Sequence, residues 1–112
     1  MKRIALIADY DPNSETHLAT EQAISHSADH LGICAKADWV STDKISPNIF
    51  QDFDGIWIGT GSPYRNIKNV LFAIEYARKN DFPIFATCGG FQHMILEIGR
   101  NELNFPKAAH AE

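Results

Sequence analysis

The sequence predicts an α/β protein with an open parallel β-sheet and helices on both faces. Two observations carry this prediction. Apolar strand-like runs alternate along the chain with helix-period segments, in the order β-α-β-α-β-α-β-α. Polar or glycine-rich turns follow three of the strands, at 9–14, 59–66 and 88–92. Ligands of such sheets bind beyond the carboxyl ends of the strands, so we expect a functional site where these turns meet.

The first half of the chain predicts two strands and one long helix. Residues 3–8 are a continuous apolar run, typical of a strand buried on both faces. A polar cap at 13–14 opens a helix that continues to about Leu31, where Gly32 ends it. Residues 34–40 alternate between apolar and polar, as expected of a half-exposed strand at a sheet edge.

The second half predicts two further strands and two strongly periodic helices. Residues 41–53 should be a loop with a short helix, and 55–60 a third buried strand. A helix follows from about residue 67 to residue 77. The apolar run at 83–86 is predicted to be a fourth buried strand, and the pattern at 91–98 predicts the helix after it.

Composition indicates a globular domain with little affinity for polyanions. The 112 residues are 45% hydrophobic and 21% charged, and ten basic against fourteen acidic side chains give a net charge of −4. No basic run occurs, so nucleic acid and anionic membranes are not expected partners. The N-terminal apolar run is too short for a signal peptide. Cys34 and Cys88 do not suggest a disulfide framework, so we expect a cytoplasmic protein.

Cys88 lies on the turn between the fourth strand and the helix after it. Small residues surround it, Ala86 before it and Gly89 and Gly90 after it, as a tight turn requires. This is the arrangement of a nucleophile elbow with sulfur in place of the serine oxygen. A helix N-terminus stabilises a thiolate and offers N–H groups to an oxyanion. Cys88 is therefore predicted to be a nucleophile; the alternative is a small buried hydrophobic residue.

The turn at 59–62, Gly-Thr-Gly-Ser, has three interpretations. It can cradle a phosphate, although it lacks the spacing and the lysine of a P-loop. It can be a plain tight turn. It can also bring the N–H of Gly61 toward that of Gly89, so that both face one oxyanion, provided that the third strand lies beside the fourth. We favour the third interpretation because the cysteine turn supplies an oxyanion to stabilise.

No metal or cofactor is expected. His26 and His30 stand one helical turn apart, but no cysteine or carboxylate completes a ligand set with them. We expect both to lie on a solvated helix face.

Three segments together resemble the class I glutamine amidotransferases, most closely the glutaminase domain of CTP synthase and its stand-alone relatives. They are 54–65 (DGIWIGTGSPYR), 73–78 (AIEYAR), and 83–92 with 97–101 (PIFATCGGFQ and EIGRN). The resemblance begins at about Asp54, whereas residues 1–53 agree only in the order of strand and helix. It implies a flavodoxin-like fold of which residues 1–112 are the N-terminal part.

The resemblance also implies roles for individual residues. Cys88 matches the nucleophile that attacks the side-chain amide of glutamine, forms a thioester and releases ammonia. Gly61 and Gly89 match the backbone oxyanion donors, and Gln92 matches a substrate-contacting glutamine. Glu112 stands at the position of a glutamate that, in the CTP synthases, holds the substrate amino group. The implied partners are glutamine and a synthetase domain or subunit that receives the ammonia.

The general base is not among the matched residues. In the family, a histidine and a glutamate on a loop beyond this stretch activate the thiol, so the chain alone is expected to be inactive. His110-Ala111-Glu112 has the same H-x-E sequence pattern. It lies too soon after the helix that follows Cys88 to be that loop, and Glu112 already has another match. His93 is expected to be an ordinary histidine on a helix face.

Other interpretations remain. The chain can be a binding module that keeps a glutamine pocket without a base, or another cysteine-elbow hydrolase of the same fold. A receiver-like signalling domain would use Asp9 and Asp11 as its acidic pair, but it needs an aspartate at the end of the third strand, where Gly59 stands. If later strands of the domain are missing, the strand before Cys88 or a helix face is left uncovered, and we expect homo-oligomers or aggregates.

Overall fold

The computed structural model describes residues 1–111, and in it four parallel strands alternate with helices. The elements in chain order are β1 (Lys2–Ile7), α1 (Glu15–Leu31), β2 (Ala35–Val40), a 3-10 turn (Thr42–Lys44), α2 (Ile49–Asp52), β3 (Gly55–Ile58), α3 (Ile67–Lys79), β4 (Ile84–Ala86) and α4 (Gly89–Asn101). The strand order is β2-β1-β3-β4, and every pairing is parallel. This confirms the predicted fold class.

The predicted ends of α1 are confirmed by its caps. The Ser14 side chain accepts a hydrogen bond from the backbone N–H of His17 at 3.2 Å, which satisfies one of the unpaired donors of the first turn. Gly32 ends the helix with φ of 66°, a left-handed conformation that suits glycine. Turn chemistry in the sequence therefore determined this element at both ends.

The two faces of the sheet carry different helices. In the order β2-β1-β3-β4, the connection from β1 to β2 and the connection from β3 to β4 run in opposite directions across the sheet. Because both crossovers are right-handed, α1 and α3 lie on opposite faces. The α3 face holds the main core, in which side chains of the two central strands pack against α2 and α3. Its buried members are Ala5, Ile7, Ile45, Ile49, Ile56, Ile58, Tyr64, Val70, Ala73, Ile74 and Ala77.

The prediction that residues 83–86 form a buried strand was wrong. Among residues 1–111, β4 is an edge strand: it pairs with β3 on one side only. The Phe85 side chain points to the α1 face and is 58% exposed. An open apolar groove of about 300 Å³ lies there, lined in part by Ile24 of α1, Trp57 and Phe85. A continuous apolar run looks the same in an edge strand as in a central one, because its composition does not show what covers it.

Helix α4 approaches the end of β3 through a glycine. A Cβ built on Gly90 would lie 2.2 Å from the backbone oxygen of Ile58. The contact is with backbone, which cannot turn aside as a flexible side chain can. Gly90 is therefore needed because only a residue without a side chain lets α4 come this close.

A buried ion pair joins α3 to α4. The Glu97 carboxylate has no exposed side-chain surface and receives a bidentate pair of hydrogen bonds from Arg78, at 2.7 and 2.8 Å. Burial alone would raise the pKa of Glu97, but the hydrogen bonds from Arg78 and Asn101 and the charge of Arg78 outweigh it, so the pKa lies below its usual value. The pair fixes α4 against α3 and stays charged at neutral pH.

No helix within residues 1–111 is long and apolar enough to cross a bilayer.

We predict opposite effects for two glycine substitutions in α4. Gly90→Ala should lower the free energy of unfolding by about 1–3 kcal/mol, because the new methyl group must push α4 away from β3. In Gly99→Ala the new Cβ would meet Ala108 at 3.7 Å, an ordinary contact. That variant should gain about 0.5–1 kcal/mol from helix propensity. Urea denaturation of the three proteins measures both effects, and equal shifts for the two variants would contradict the close approach.

We also predict that Arg78→Ala destabilises the protein several times more than Lys79→Ala. The first variant leaves the buried Glu97 carboxylate without its partner. The second removes an exposed pair with Glu75 on the same helix, which is worth about 0.5 kcal/mol or less. Chemical denaturation at neutral pH compares the two midpoints. Similar losses would show that the α3–α4 pair contributes no more than a surface pair.

Candidate active site

Cys88 is the N-cap of α4, directly after the carboxyl end of β4. Its backbone has φ of 54° and ψ of −122°, a conformation that residues with a side chain rarely adopt. The thiol side chain is exposed, so the alternative of a buried hydrophobic cysteine is wrong. A strained residue on a strand-to-helix turn, with its side chain presented to solvent, is the geometry of a nucleophile elbow.

The two predicted oxyanion donors lie on neighbouring turns. β3 pairs with β4, so the turn after β3, which carries Gly61, lies beside the one that carries Cys88 and Gly89. Gly61 has φ of 108°, a conformation that only glycine adopts without strain. Within residues 1–111 neither the Gly61 N–H nor the Gly89 N–H donates a hydrogen bond to another group. Both are therefore available to an acceptor.

The packing of these turns leaves no space for a side chain at residue 89. A Cβ on Gly89 would lie 2.4 Å from Ser62 Oγ and 2.6 Å from Ser62 Cβ. The 59–66 turn thus packs directly on the first residue of α4. This contact brings the two glycine-containing turns together at the carboxyl ends of β3 and β4.

Hydrogen bonds with polar side chains anchor the 59–66 turn. The Tyr64 hydroxyl donates to the Gly59 backbone oxygen at 2.6 Å, and the Arg65 N–H donates to the Asp9 carboxylate at 2.7 Å. The Asn66 N–H donates to Thr42 Oγ1 at 3.0 Å. The turn is therefore held by the end of β1, by the 3-10 turn and by its own tyrosine.

Asp9 anchors the 59–66 turn and is not part of an acidic pair. Its carboxylate accepts hydrogen bonds from the Thr42 N–H and hydroxyl as well as from the Arg65 N–H. Burial would raise the pKa of Asp9, but these hydrogen bonds and the charge of Arg65 outweigh it and lower the pKa. Because its oxygens are occupied, Asp9 does not fit the receiver-like interpretation.

His17, which the sequence did not single out, is buried against the same turn. It lies in the first turn of α1 and is 2% exposed. Its ring packs on Trp39 and Tyr10 with centroid distances of 4.7 and 5.8 Å. One ring nitrogen, Nε2, lies 3.0 Å from the Thr60 backbone oxygen. The only signal in the sequence is a histidine three residues after a helix cap, which is too common to identify a site.

The predicted substrate residue Gln92 is exposed one turn into α4. Its Oε1 lies 2.6 Å from Nε2 of His110, so the segment after α4 folds back onto the first turn of that helix. The His110 ring also stacks on His93, with centroids 5.1 Å apart. His93 is not on a solvated face: it is 1% exposed, and its Nδ1 lies 2.6 Å from the Gly89 backbone oxygen.

The remaining candidates have simple placements. Glu112 lies outside the described residues. His26 and His30 are exposed on α1. Among residues 1–111, no group of three or more histidine, cysteine, aspartate or glutamate side chains is arranged to hold a metal ion.

Comparisons with known proteins match this fold and motif. The family model described as "Glutamine amidotransferase class-I" matches residues 15–111. The match begins well before Asp54, so the motif-based estimate of its start was too late. CTP synthases of Onion yellows phytoplasma and of Dehalococcoides mccartyi are 30% and 32% identical to the chain. The alignments cover 97% and 98% of the chain but 21% of each relative, so the chain spans about a fifth of their length.

A solved structure shows the same fold. It is described as "Trypanosoma brucei CTPS - glutaminase domain with bound acivicin", and it superposes with a TM-score of 0.76 at 22% identity. The superposition covers 98% of this chain and 48% of that one. With the family model matching most of the sequence, the chain belongs to the class I glutamine amidotransferase family.

Proposed function

We propose that this chain carries the nucleophile of a glutaminase that releases ammonia from the side-chain amide of glutamine, as part of a CTP synthase-like protein. The observation that carries the proposal is the position of Cys88: an exposed thiol on a strained turn at the N-terminus of α4, beside two backbone N–H groups that have no acceptor within residues 1–111. A thiolate there is stabilised by the positive end of the helix dipole.

The proposed reaction has two stages. The Cys88 thiolate attacks the amide carbon of glutamine, and the carbonyl oxygen takes up the negative charge while the N–H groups of Gly61 and Gly89 stabilise it. Collapse of this intermediate breaks the carbon–nitrogen bond, and the nitrogen leaves as ammonia after taking up a proton. Water then cleaves the thioester, which yields glutamate and restores the thiol.

Two further residues are proposed to bind the substrate. Gln92 presents its side-chain amide one turn after Cys88, where it can contact the bound glutamine. Glu112 is proposed to hold the substrate amino group. Acivicin, bound in the T. brucei glutaminase domain, is a small molecule and is consistent with a small-molecule site in this fold.

The general base is proposed to lie outside this chain, as the family resemblance implies, so that residues 1–112 alone release no ammonia. They would then form the N-terminal part of a longer domain, which agrees with the 48% coverage of the T. brucei domain. The proposed acceptor of the ammonia is a synthetase domain or subunit. The cytoplasmic location stays a prediction from cysteine usage.

Two other functions use the same exposed cysteine. A binding module would keep the glutamine pocket without turnover. A different cysteine hydrolase would keep the elbow but accept another acyl substrate. Both remain alternatives because each needs the same turn at Cys88, and substrate specificity depends on residues that the elbow does not contain.

We predict that Cys88→Ala lowers glutamine-dependent ammonia release by about 1,000-fold or more in the full-length protein, because no other group there can form the thioester. It should also abolish covalent labelling by a chloroketone analogue of glutamine. Cys34→Ala is the matched control, since Cys34 is the other exposed cysteine, and it should leave both measurements unchanged. Ammonia is measured by a coupled assay and labelling by intact-protein mass.

The same experiment separates the alternatives. Glutamine binding without ammonia release by the full-length protein would select the binding module. Alkylation of Cys88 by iodoacetamide but not by the chloroketone would select a hydrolase with another substrate. Ammonia release that survives Cys88→Ala would refute the proposed nucleophile.

We further predict that the isolated 112-residue chain self-associates through the edge of β4. Phe85 and Trp57 line an apolar groove beside β4, which pairs with β3 on one side and has an open edge on the other, and such edges pair with other chains. Light scattering should show a mass above that of one chain, and Phe85→Lys should shift it toward the monomer. Phe105→Lys, which changes an equally exposed phenylalanine far along the chain, should not. A monodisperse monomer would contradict the prediction.

A further inference from the structure

The ring of His17 has a fixed tautomer because backbone groups occupy both nitrogens. The Asp11 N–H donates to Nδ1 at 3.0 Å, and an N–H cannot accept, so Nδ1 carries the lone pair. The proton is therefore on Nε2, which faces the Thr60 backbone oxygen at 3.0 Å, a group that can only accept. His17 is thus neutral and donates to Thr60, and the first turn of α1 and the 9–11 segment hold it in that orientation.

The oxygen that His17 binds belongs to the same peptide group as the Gly61 N–H. A peptide is planar, so the Thr60 carbonyl and the Gly61 N–H point in opposite directions along one rigid unit. A hydrogen bond to the carbonyl fixes the plane and polarises the N–H on its other side. His17 Nε2 also lies 3.4 Å from the place where a Cβ of Gly61 would be, so the ring packs on the residue as well as binding it.

The neighbouring contacts hold the same peptide. Thr16 Oγ1 and Thr60 Oγ1 lie 2.7 Å apart, a second hydrogen bond from α1 to the turn. The His17 ring is packed on Trp39, with ring centroids 4.7 Å apart. The orientation of the ring is set by its own hydrogen bonds to Asp11 and Thr60, and rotation of the ring would break both of them.

We propose that His17 is a positioning residue for catalysis: its Nε2–H holds the Thr60–Gly61 peptide so that the Gly61 N–H faces the oxyanion formed at Cys88. This inference depends on the proposed glutaminase function. His17 acts through the peptide and needs no contact with substrate. Loss of its donor should weaken binding of the tetrahedral intermediate more than binding of glutamine, because the oxyanion exists only in the former.

The test compares two amide substitutions in the full-length protein. The side-chain amide of glutamine can occupy the position of histidine Nε2, whereas the shorter side chain of asparagine places its amide only at the position of Nδ1. His17→Gln therefore keeps a donor to Thr60, and His17→Asn keeps only the acceptor for the Asp11 N–H. If His17→Asn does not fold, His17→Phe replaces it, because phenylalanine keeps the packing on Trp39 and has no donor.

Two probes of Cys88 separate oxyanion stabilisation from thiol reactivity. Glutamate γ-semialdehyde adds the thiolate to its carbonyl carbon and forms a thiohemiacetal, whose oxygen occupies the oxyanion position. Iodoacetamide reacts by displacement of iodide at a saturated carbon and forms no oxyanion. We expect His17→Asn to raise the dissociation constant of the aldehyde about 10-fold or more and to lower kcat with KM nearly unchanged. The rate of alkylation by iodoacetamide should change less than about twofold, and His17→Gln should recover most of the aldehyde affinity.

Glu21→Ala is the control for a purely structural effect. It removes the partner of the Trp39 indole and loosens the same aromatic group without touching Thr60, so it should lower thermal stability and leave aldehyde affinity unchanged. The inference is overturned if Glu21→Ala reproduces the loss, if His17→Asn affects both probes equally, or if it affects neither. If the unmodified protein shows no Cys88-dependent binding of the aldehyde, the proposed glutaminase function fails, and the inference about His17 fails with it.

Discussion

The contact between Gly90 and the backbone oxygen of Ile58 determines how the site is assembled. With no side chain between them, α4 begins immediately beside the end of β3, and a Cβ at this position would be 2.2 Å from that oxygen. The close approach places Cys88 at the N-terminus of a helix and next to the turn that leaves β3. Cys88, the helix dipole and the Gly61 turn therefore come together because one residue in α4 is small.

The turn that faces Cys88 is irregular, and polar side chains from distant parts of the chain hold it in place. Asp9 comes from the end of β1, Thr42 from the 3-10 turn, His17 from α1, and Tyr64 from the turn itself. Within residues 1–111 no buried side-chain nitrogen or oxygen lacks a hydrogen-bond partner. A fully satisfied network of this kind is rigid, and rigid donors need no reorganisation when charge develops during a reaction.

The two faces of the sheet differ in how completely helices cover them. On the α3 face, the core and the Arg78–Glu97 pair fix α3, α4 and the central strands to one another. On the α1 face, the helix covers β1 and β2, whereas Trp57 and Phe85 border an open groove. The site draws on both sides, because Gly89 and Gly90 belong to α4 whereas His17 and Thr16 of α1 hydrogen-bond to the turn that carries Gly61.

The sequence by itself determined the order of strands and helices, both caps of α1 and the position of Cys88 on a strand-to-helix turn. These features follow from hydrophobic period, from Ser14 and Gly32, and from small residues around the cysteine, all of which are local. Only the tertiary structure decided that β4 is an edge strand, that His93 is buried, and that His17 and Asp9 hold the turn carrying Gly61. Those facts depend on which segments meet across the sheet, and residues more than forty positions apart, such as His17 and Thr60, leave no periodic signal of their contact in the chain.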